Sequence, residues 1–568
     1  MKLIRRLLIA SVIIAAFDAV MMLVLFRYLW VAALVVCVAM CLRETRRSSD
    51  AFGSARFASP QELLDMTESN QEPIIGHIQG KITRRQGLKA LFDRRLEPNK
   101  GVRRFLASCQ RRQHRKLVRL KDAVHVAVFA PTGVGKGVSI VIPHLRTSAD
   151  SMVVVDFKGE LFRETADARR KMGHRVVCLD PFGVAGGTDT FNPMMGLSES
   201  HFALDECNDL AQEMVVRTGK EHDEHWNDSA QSLISALLGV TAIFADEDDK
   251  HLQSMRGVVS DDQKLEVAIS SARNSPAWGG MIARAGHQLA QLKDRERASV
   301  LSTAHRHLRF LDTPAVAVNT RASTFDPAEL CKGKMTVYLV LPPDHMRAQS
   351  GLLRLWIGSL LRVCVKNGLQ EKSKVRFILD EAASLGPMDA ITDAVDKYRG
   401  YGVRLLFLYQ SLGQLKKCWP GEQDQTLLSN VTQIYFGIND YQTAEQVSKM
   451  LGESTITISS GGTGSSKSQP GSGDKGGASY STSASNNWQF GGRSLMRPDE
   501  LLNLDKRVAI TFMPGYRPIS TWLCRSYESD FQPEREMGVL KAAFDSVCMF
   551  LTVTIIAAMV TACVFDLK

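Results

Sequence analysis

The sequence predicts an α/β fold: a mainly parallel sheet carrying an inserted all-helical domain, with transmembrane helices at the N-terminus. Three observations carry this reading. Runs of β-branched and apolar residues at 124–130, 152–156, 175–179, 335–341, 375–380, 403–409, 433–437 and 508–513 each end in polar or turn-forming residues. Helical patterns separate most of them, and their continuous apolarity says that both sheet faces are covered. From about 195 to 320 the strand signal stops. There HWNDSAQSLISALLGVTAIFA and ASVLSTAHRHLRFL carry apolar residues at three- and four-residue spacing, as amphipathic helices do. Strands resume afterwards, so residues 195–320 are an insertion into a domain made of 123–194 and 321–530.

The third observation is at the N-terminus. Residues 7–42 are almost wholly apolar, interrupted only by Asp18 and by the RYLW that begins at Arg27. The run is too long for a signal-peptide core and has no small-residue cleavage site after it. With ~20 apolar residues needed to cross a bilayer, 7–26 fit one helix and 30–42 a shorter second one. Lys2, Arg5 and Arg6 precede the pair and Arg43, Arg46 and Arg47 follow it, which places both ends in the cytoplasm. Residues 1–47 thus read as a hairpin anchor, with one long tilted helix as the rival. At the other end VCMFLTVTIIAAMVTACV, within 545–564, reads as a possible third membrane segment, a buried helix or partner-binding tail being the alternative.

The 568 residues allow two to four folded units. The 11 cysteines are scattered, without a C-x-x-C pair or a Cys/His cluster, so neither a disulfide framework nor a zinc site is supported. Net charge is +10, and much of the excess lies in 83–121, within a basic membrane-proximal region over 48–122. Such a cluster suits anionic lipid or nucleic-acid phosphate, and equally a solvated face. Residues 454–487 are rich in Gly, Ser and Thr and cannot bury enough surface to offset ordering, so a flexible loop is expected over 454–492. Its GGTGSSKS ends in K-S but lacks the second loop glycine and a following helix, and is not a phosphate site.

VFAPTGVGKGVSIVIPHL, beginning at Val128, is the chemically informative stretch. It follows a strand and precedes a helix, as a phosphate-binding loop does. Pro131, Thr132, Gly133, Val134, Gly135, Lys136, Gly137 and Val138 would line the phosphates, with the glycines keeping the turn free of side chains and Lys136 supplying charge. Two letters depart from G-x-x-x-x-G-K-[ST]: Ala130 replaces the first glycine, and Gly137 the hydroxyl that ordinarily ligates Mg²⁺. Ser139 lies about 200° further around a helix and would point away. A metal must then lean on water and on an acidic strand end. Asp156 and the pair Asp380–Glu381 both follow strands; the adjacent pair better supplies one carboxylate for a metal and one to polarise water. Arg399 precedes the 403–409 strand and Gln410 follows it. A strand-end glutamine could sense a terminal phosphate, and a loop arginine could reach a neighbouring subunit's nucleotide.

These residues resemble the coupling proteins of type IV secretion and conjugation systems, which belong to the motor-type P-loop ATPases. The likeness rests on GSARFASPQEL, APTGVGKGVSIVIPHL, VVVDFKGELFRETADARR, CLDPFG, FNP, HWNDSAQSLI, FILDEAASLG, YGVRLLFLYQSLGQL, GRSLMRPDELLNL and PGYRP, in the family's order from about 53 to 518. The resemblance implies a hexameric ring at the bacterial inner membrane, with an all-helical domain inserted in a RecA/FtsK-like domain. It further implies ATP and Mg²⁺ as cofactors. Expected partners are single- or double-stranded DNA without sequence readout, a relaxase or effector proteins, and secretion-channel proteins. Carried onto this chain, Lys136 binds phosphate, Asp380 holds the metal, Glu381 is the catalytic base, Arg399 the finger and Gln410 the sensor. The anchor's outer turn is shorter than the family's periplasmic segment, and the C-terminal apolar segment is not a usual feature of the family.

Overall fold

The computed structural model describes residues 50–528 apart from 79–116, 469–478 and several gaps of five residues or fewer. The anchor expected over 1–47, most of the basic stretch and the apolar segment at 545–564 lie outside the described residues. Among the described residues no helix is long and apolar enough to cross a membrane. The chain divides into two units, one containing residues 448–496 with the segment up to Arg56, the other containing the rest.

The larger unit is built on an eleven-stranded sheet. In chain order its strands are β1 (Ile74–Ile78), β2 (Leu117–Arg119), β3 (His125–Phe129), β4 (Ser151–Asp156), β5 (Arg175–Leu179), β6 (Met335–Val340), β7 (Val375–Leu379), β8 (Val403–Tyr409) and β9 (Val431–Phe436). After the ribbon strands β10 (Glu453–Ser468) and β11 (Ser479–Ser494), which belong to the smaller unit, come β12 (Val508–Phe512) and β13 (Ile519–Trp522). The order across the sheet is β2-β1-β13-β12-β9-β3-β8-β7-β4-β6-β5. From β9 to β5 every neighbouring pair is parallel, and from β9 to β2 every pair is antiparallel. β3, β4, β6, β7 and β9 are buried at every position, which is why they read as largely apolar runs. The antiparallel side adds β1, β2 and β13, short strands that carry no comparable run.

Helices cover the sheet. A wide π-turn at Gly137–Val141 runs directly into α1 (Ile142–Thr147), and α2 (Glu160–Lys171) joins β4 to β5. Between β5 and β6 the described residues hold no strand, only α3 (Ala203–Met214), α4 (His225–Phe244), α5 (Leu252–Val259), α6 (Asp262–Arg273), α7 (Ala277–Ala290), α8 (Asp294–Leu308) and α9 (Pro314–Asn319), with short 3-10 turns. α4 is the centre of this bundle, burying residues on all its faces from Leu233 to Ala242. The polypeptide then returns through β6 and α10 (Ser350–Lys366), another largely buried helix. α11 (Asp389–Asp396) and α12 (Leu412–Cys418) follow β7 and β8.

In the smaller unit the segment expected as a flexible loop over 454–492 contains a two-stranded ribbon. β10 and β11 pair antiparallel in unbroken register from Glu453 opposite Ser494 to Ser468 opposite Ser479. A Gly/Ser/Thr composition excludes a large apolar core but leaves every main-chain donor and acceptor able to pair across a ladder, and threonine favours extended backbone. The K-S dipeptide of GGTGSSKS therefore lies in a strand rather than at a helix start.

Candidate nucleotide site

The four strands β3, β8, β7 and β4 are consecutive neighbours in the parallel part of the sheet, so their carboxyl ends share one edge. That edge brings together the 131–138 loop after β3, Gln410 after β8, Asp380–Glu381 after β7, and Asp156 at the end of β4. It is the place where open parallel sheets present ligand sites.

Ala130 is buried, its N–H donates to the Tyr409 carbonyl at 3.0 Å, and its backbone is outside the left-handed region, so nothing there requires glycine. Gly133 and Gly135 supply the turn with φ of 82° and 90°. Val134 is buried against Gly437, Thr132 is exposed, and Pro131 and Val138 are half-buried. Lys136 Nζ donates to the carbonyls of Ala130 at 2.6 Å and Pro131 at 3.4 Å. Desolvation lowers its pKa from the ordinary amine value, while the charges of Asp380 and Glu381 oppose that shift.

Asp380 is half-buried, and its carboxyl is pushed up to about 6 by desolvation; Lys136 pulls the other way, while Glu381 and Asp156 add to the rise. Glu381 has φ 49°, a left-handed conformation that costs a glutamate ~1–2 kcal/mol. Its carboxylate is fixed from outside its own strand: Gln410 Nε2 donates to its two oxygens at 2.9 and 3.1 Å, and Gln414 Nε2 to Oε1 at 3.2 Å. Gln414 Oε1 in turn accepts from the Gln410 backbone N–H at 2.8 Å. Asp156 is differently employed. Its oxygens accept from the N–H groups of Lys158 at 3.2 Å and Phe162 at 2.9 Å, capping the start of α2.

Arg399 is not brought to this cluster. It is exposed on a 3-10 turn, Tyr398–Tyr401, before β8, whose length of ~20 Å separates it from Gln410. It lies at the opposite edge of the sheet.

Two residues of the site were not found by sequence reasoning. Gln414 stands one helical turn after Gln410, a spacing that offers a signal once Gln410 is suspected. Arg525 offers none: it reaches the loop from nearly 400 residues away. Its guanidinium donates to the Gly135 carbonyl at 3.1 Å and the Ser139 hydroxyl at 2.6 Å. The neighbouring Ser526 N–H donates to the Val138 carbonyl at 2.8 Å. The φ of 90° at Gly135 favours glycine, and a Cβ there would stand 1.7 Å from Arg525 Nη1 and push the guanidinium aside. Ser139 is buried and engaged by Arg525, which removes it as a replacement for the hydroxyl missing at 137.

The residues present fit a magnesium nucleotide. A lysine held only by loop carbonyls suits phosphate, and a carboxyl whose ionisation is resisted by its surroundings suits a divalent cation. Among the described residues no set of three or more His, Cys, Asp or Glu side chains is grouped to hold a metal by itself, so phosphate oxygens and water would complete the shell.

Known proteins match this architecture. The family model described as type IV secretory system conjugative DNA transfer matches residues 82–542. A type IV secretion system-coupling protein VirD4 of Bartonella henselae is 27% identical over 413 residues, 70% of this chain and 62% of that protein. A conjugal transfer protein TraG of Escherichia coli is 28% identical over 358 residues, 58% of this chain and 55% of that protein. The chain thus matches less than two thirds of the length of these relatives. Among solved structures, the plasmid coupling protein TrwB in complex with ADP and Mg²⁺ superposes with a TM-score of 0.56 at 16% identity, covering 84% of this chain and 95% of that one. TrwB with the ATP analogue ADPNP gives 0.56 at 17% identity. With the family model spanning well over half of the sequence and the parallel-sheet fold in agreement, the chain belongs to the type IV secretory system conjugative DNA transfer family.

Proposed function

We propose that this protein is a membrane-anchored ATPase that uses hydrolysis to drive a relaxase–DNA complex, or effector proteins, into a type IV secretion channel at the bacterial inner membrane. The observation that carries the reading is the convergence of Lys136, Asp380, Glu381 and Gln410 on one sheet edge, with Glu381 clamped by two glutamines. Lys136 leaves the loop carbonyls to bind phosphate, and Asp380 takes the metal. Bound Mg²⁺ supplies neutralisation of phosphate charge. Glu381 polarises the attacking water, and Gln410, which holds its carboxylate, links the phosphate's presence to the position of that base. Arg399 acts on a neighbouring copy's nucleotide in a homo-hexamer. TrwB, a relative in fold, is described with ADP and Mg²⁺, in support of the same cofactors here.

The experiment is ATP turnover by the purified protein with and without single-stranded DNA. DNA should raise turnover, and Lys136→Ala or Glu381→Gln should abolish it; undiminished turnover in both variants sinks the assignment. One observation favours a second reading, a nucleotide-gated, weakly or non-hydrolysing receptor that tethers cargo to the channel: residue 137 lacks a hydroxyl and Ser139 cannot substitute for it. Transfer that survives Lys136→Ala in cells would select that reading.

A further inference from the structure

Away from the nucleotide loop, where the helical insertion meets the sheet domain, lies a cleft of about 850 Å³. Its walls come from the end of α8 and the turn after it (Arg306, His307, Arg309), and from the loop leading into α10 (Arg347, Gln349, Ser350). The charges do not cancel. Asp312, next to the cleft, is occupied by Arg256 at 2.8 Å, which leaves Asp344 as the one carboxylate in the described lining against Arg306, Arg309 and Arg347. Arg306 donates to the Asn227 amide oxygen at 3.0 Å, a neutral partner. Among the described residues, Arg309 and Arg347 have no ion-pair partner, and both are exposed.

Stabilisation of the α8 carboxyl end by basic residues accounts for part of the HRHLR run. It does not account for Arg347, which approaches the same cleft from a different element. The cleft also receives the amino end of the seventeen-residue α10, whose partial positive charge has the same sign as the arginines. Gln349, only 3% exposed, precedes that end; its amide donates to Thr313 Oγ1 at 2.9 Å while its Oε1 has no partner. The scaffold is tight: a Cβ on Gly351 would stand 2.8 Å from the Phe310 ring, so α10 and the insertion pack directly on each other beneath the cleft.

We propose that this cleft holds the sugar-phosphate backbone of single-stranded nucleic acid, a binding site apart from the nucleotide loop. The proposal rests on the DNA-transfer reading above. Every unpaired cation lining the cleft is an arginine, whose planar fork matches phosphate oxygens bidentately. Phe310, the large aromatic in the lining, is buried, and the half-buried Val216 is the one large aliphatic side chain there among the described residues, little to hold the apolar side chains of a peptide. Among the described residues lining the cleft no exposed Phe, Tyr or Trp offers a base-stacking platform, so contacts are to the backbone and indifferent to sequence. A cleft of this size admits a few nucleotides of one strand, not a duplex. Because its two walls belong to the insertion and to the motor sheet, an occupied cleft would join them through the strand.

The test uses the full chain, a fluorescein-labelled oligo-dT of about twenty nucleotides, and anisotropy across a salt series, the slope falling by roughly 0.7 per phosphate contact on a single strand. The Arg309→Ala/Arg347→Ala double variant should bind about tenfold more weakly, with a salt slope shallower by roughly 1.4. Its affinity for a fluorescent ADP analogue should be unchanged, which confirms an intact fold. p-Benzoylphenylalanine introduced at Ala348, on the cleft rim, should crosslink to the oligonucleotide. Wild-type affinity and slope in the double variant, with no crosslink at 348, overturn the proposal. Blocking of the crosslink by polyglutamate at concentrations where unlabelled oligo-dT fails would also overturn it, in favour of an acidic peptide. Failure of the wild-type chain to bind oligo-dT at all would instead strike the DNA-transfer reading, a result distinct from a silent double variant.

Discussion

Asp380 sits where desolvation and Glu381 oppose its charge while Lys136 favours it, and the balance sets its carboxyl at about 6 against an ordinary 3.8. A carboxyl with a raised folded pKa is most stabilising when protonated. The free protein should therefore lose stability as pH rises from about 4 to about 6, and a bound cation should return that loss. Magnesium with ADP is expected to raise the melting temperature by several degrees at about pH 7.5 and far less at about pH 5.5, since the metal must compete with a proton below the folded pKa. In Asp380→Asn the pH dependence of that increment should vanish; a variant that keeps it removes Asp380 from the metal site. At Gly137 the backbone is ordinary, and a Cβ there would meet nothing within 4 Å. Gly137→Thr should consequently fold, gain a little from losing a helical glycine, and bring the missing hydroxyl to the loop. The Mg²⁺ concentration for half-maximal nucleotide binding is expected to fall by about tenfold, equivalent to ~1.4 kcal/mol. Metal dependence identical to that of the native chain would mean that water already fills the role well.

At the scale of elements, what could be read in advance was what is local. β4, β7 and β8 announce themselves because strands covered on both faces are apolar at most positions, and their ends carry the acids and glutamine of the site. β1 and β13 could not be read this way, because IIGHI and ISTW are short and lie among antiparallel neighbours. β10 and β11 escaped because composition reports on burial, whereas their pairing is a matter of main-chain hydrogen bonds. The loop, Asp380–Glu381 and Gln410 each lie within a few residues of a strand end. Arg525 also lies just after a strand, but that strand is β13, which carries no readable run, and its placement depends on the whole antiparallel side of the sheet returning Leu523–Glu528 to the phosphate loop. Glu528 Oε2 accepts from the Arg525 backbone N–H at 3.2 Å and from Arg507 Nη2 at 2.7 Å, so this return is itself anchored. Arg525→Ala removes the donor from a buried hydroxyl and a loop carbonyl, a loss of ~1–3 kcal/mol. Calorimetry should register a lower melting temperature together with weaker nucleotide binding, Arg525→Lys restoring part of the affinity. A normal affinity in Arg525→Ala would show that the loop holds its shape without the strap.

For the whole molecule, the placement of Arg399 is the deciding feature. It stands at the amino edge of β8, the far side of the sheet from Lys136 and Glu381, so within one chain it cannot approach phosphate bound at the loop. An arginine finger at this position can act only across a subunit boundary. Lys136→Ala subunits lack a working loop but keep Arg399, whereas Arg399→Ala subunits keep the loop but lack the arginine proposed as finger. Each homo-oligomer should turn over ATP at less than about one hundredth of the native rate, as removal of a finger or a loop lysine ordinarily causes. Mixed in equal amounts and allowed to co-assemble, the two should regain activity, because an intact loop now meets an intact arginine at about a quarter of randomly formed interfaces. Recovery approaching that fraction requires that Arg399 be supplied to each site by a neighbouring subunit. If the mixture stays as inactive as its components while native subunits remain active under the same dilution and mixing, Arg399 serves its own chain's architecture at the amino edge of the sheet, and the residue that completes each nucleotide site lies elsewhere on the neighbouring surface.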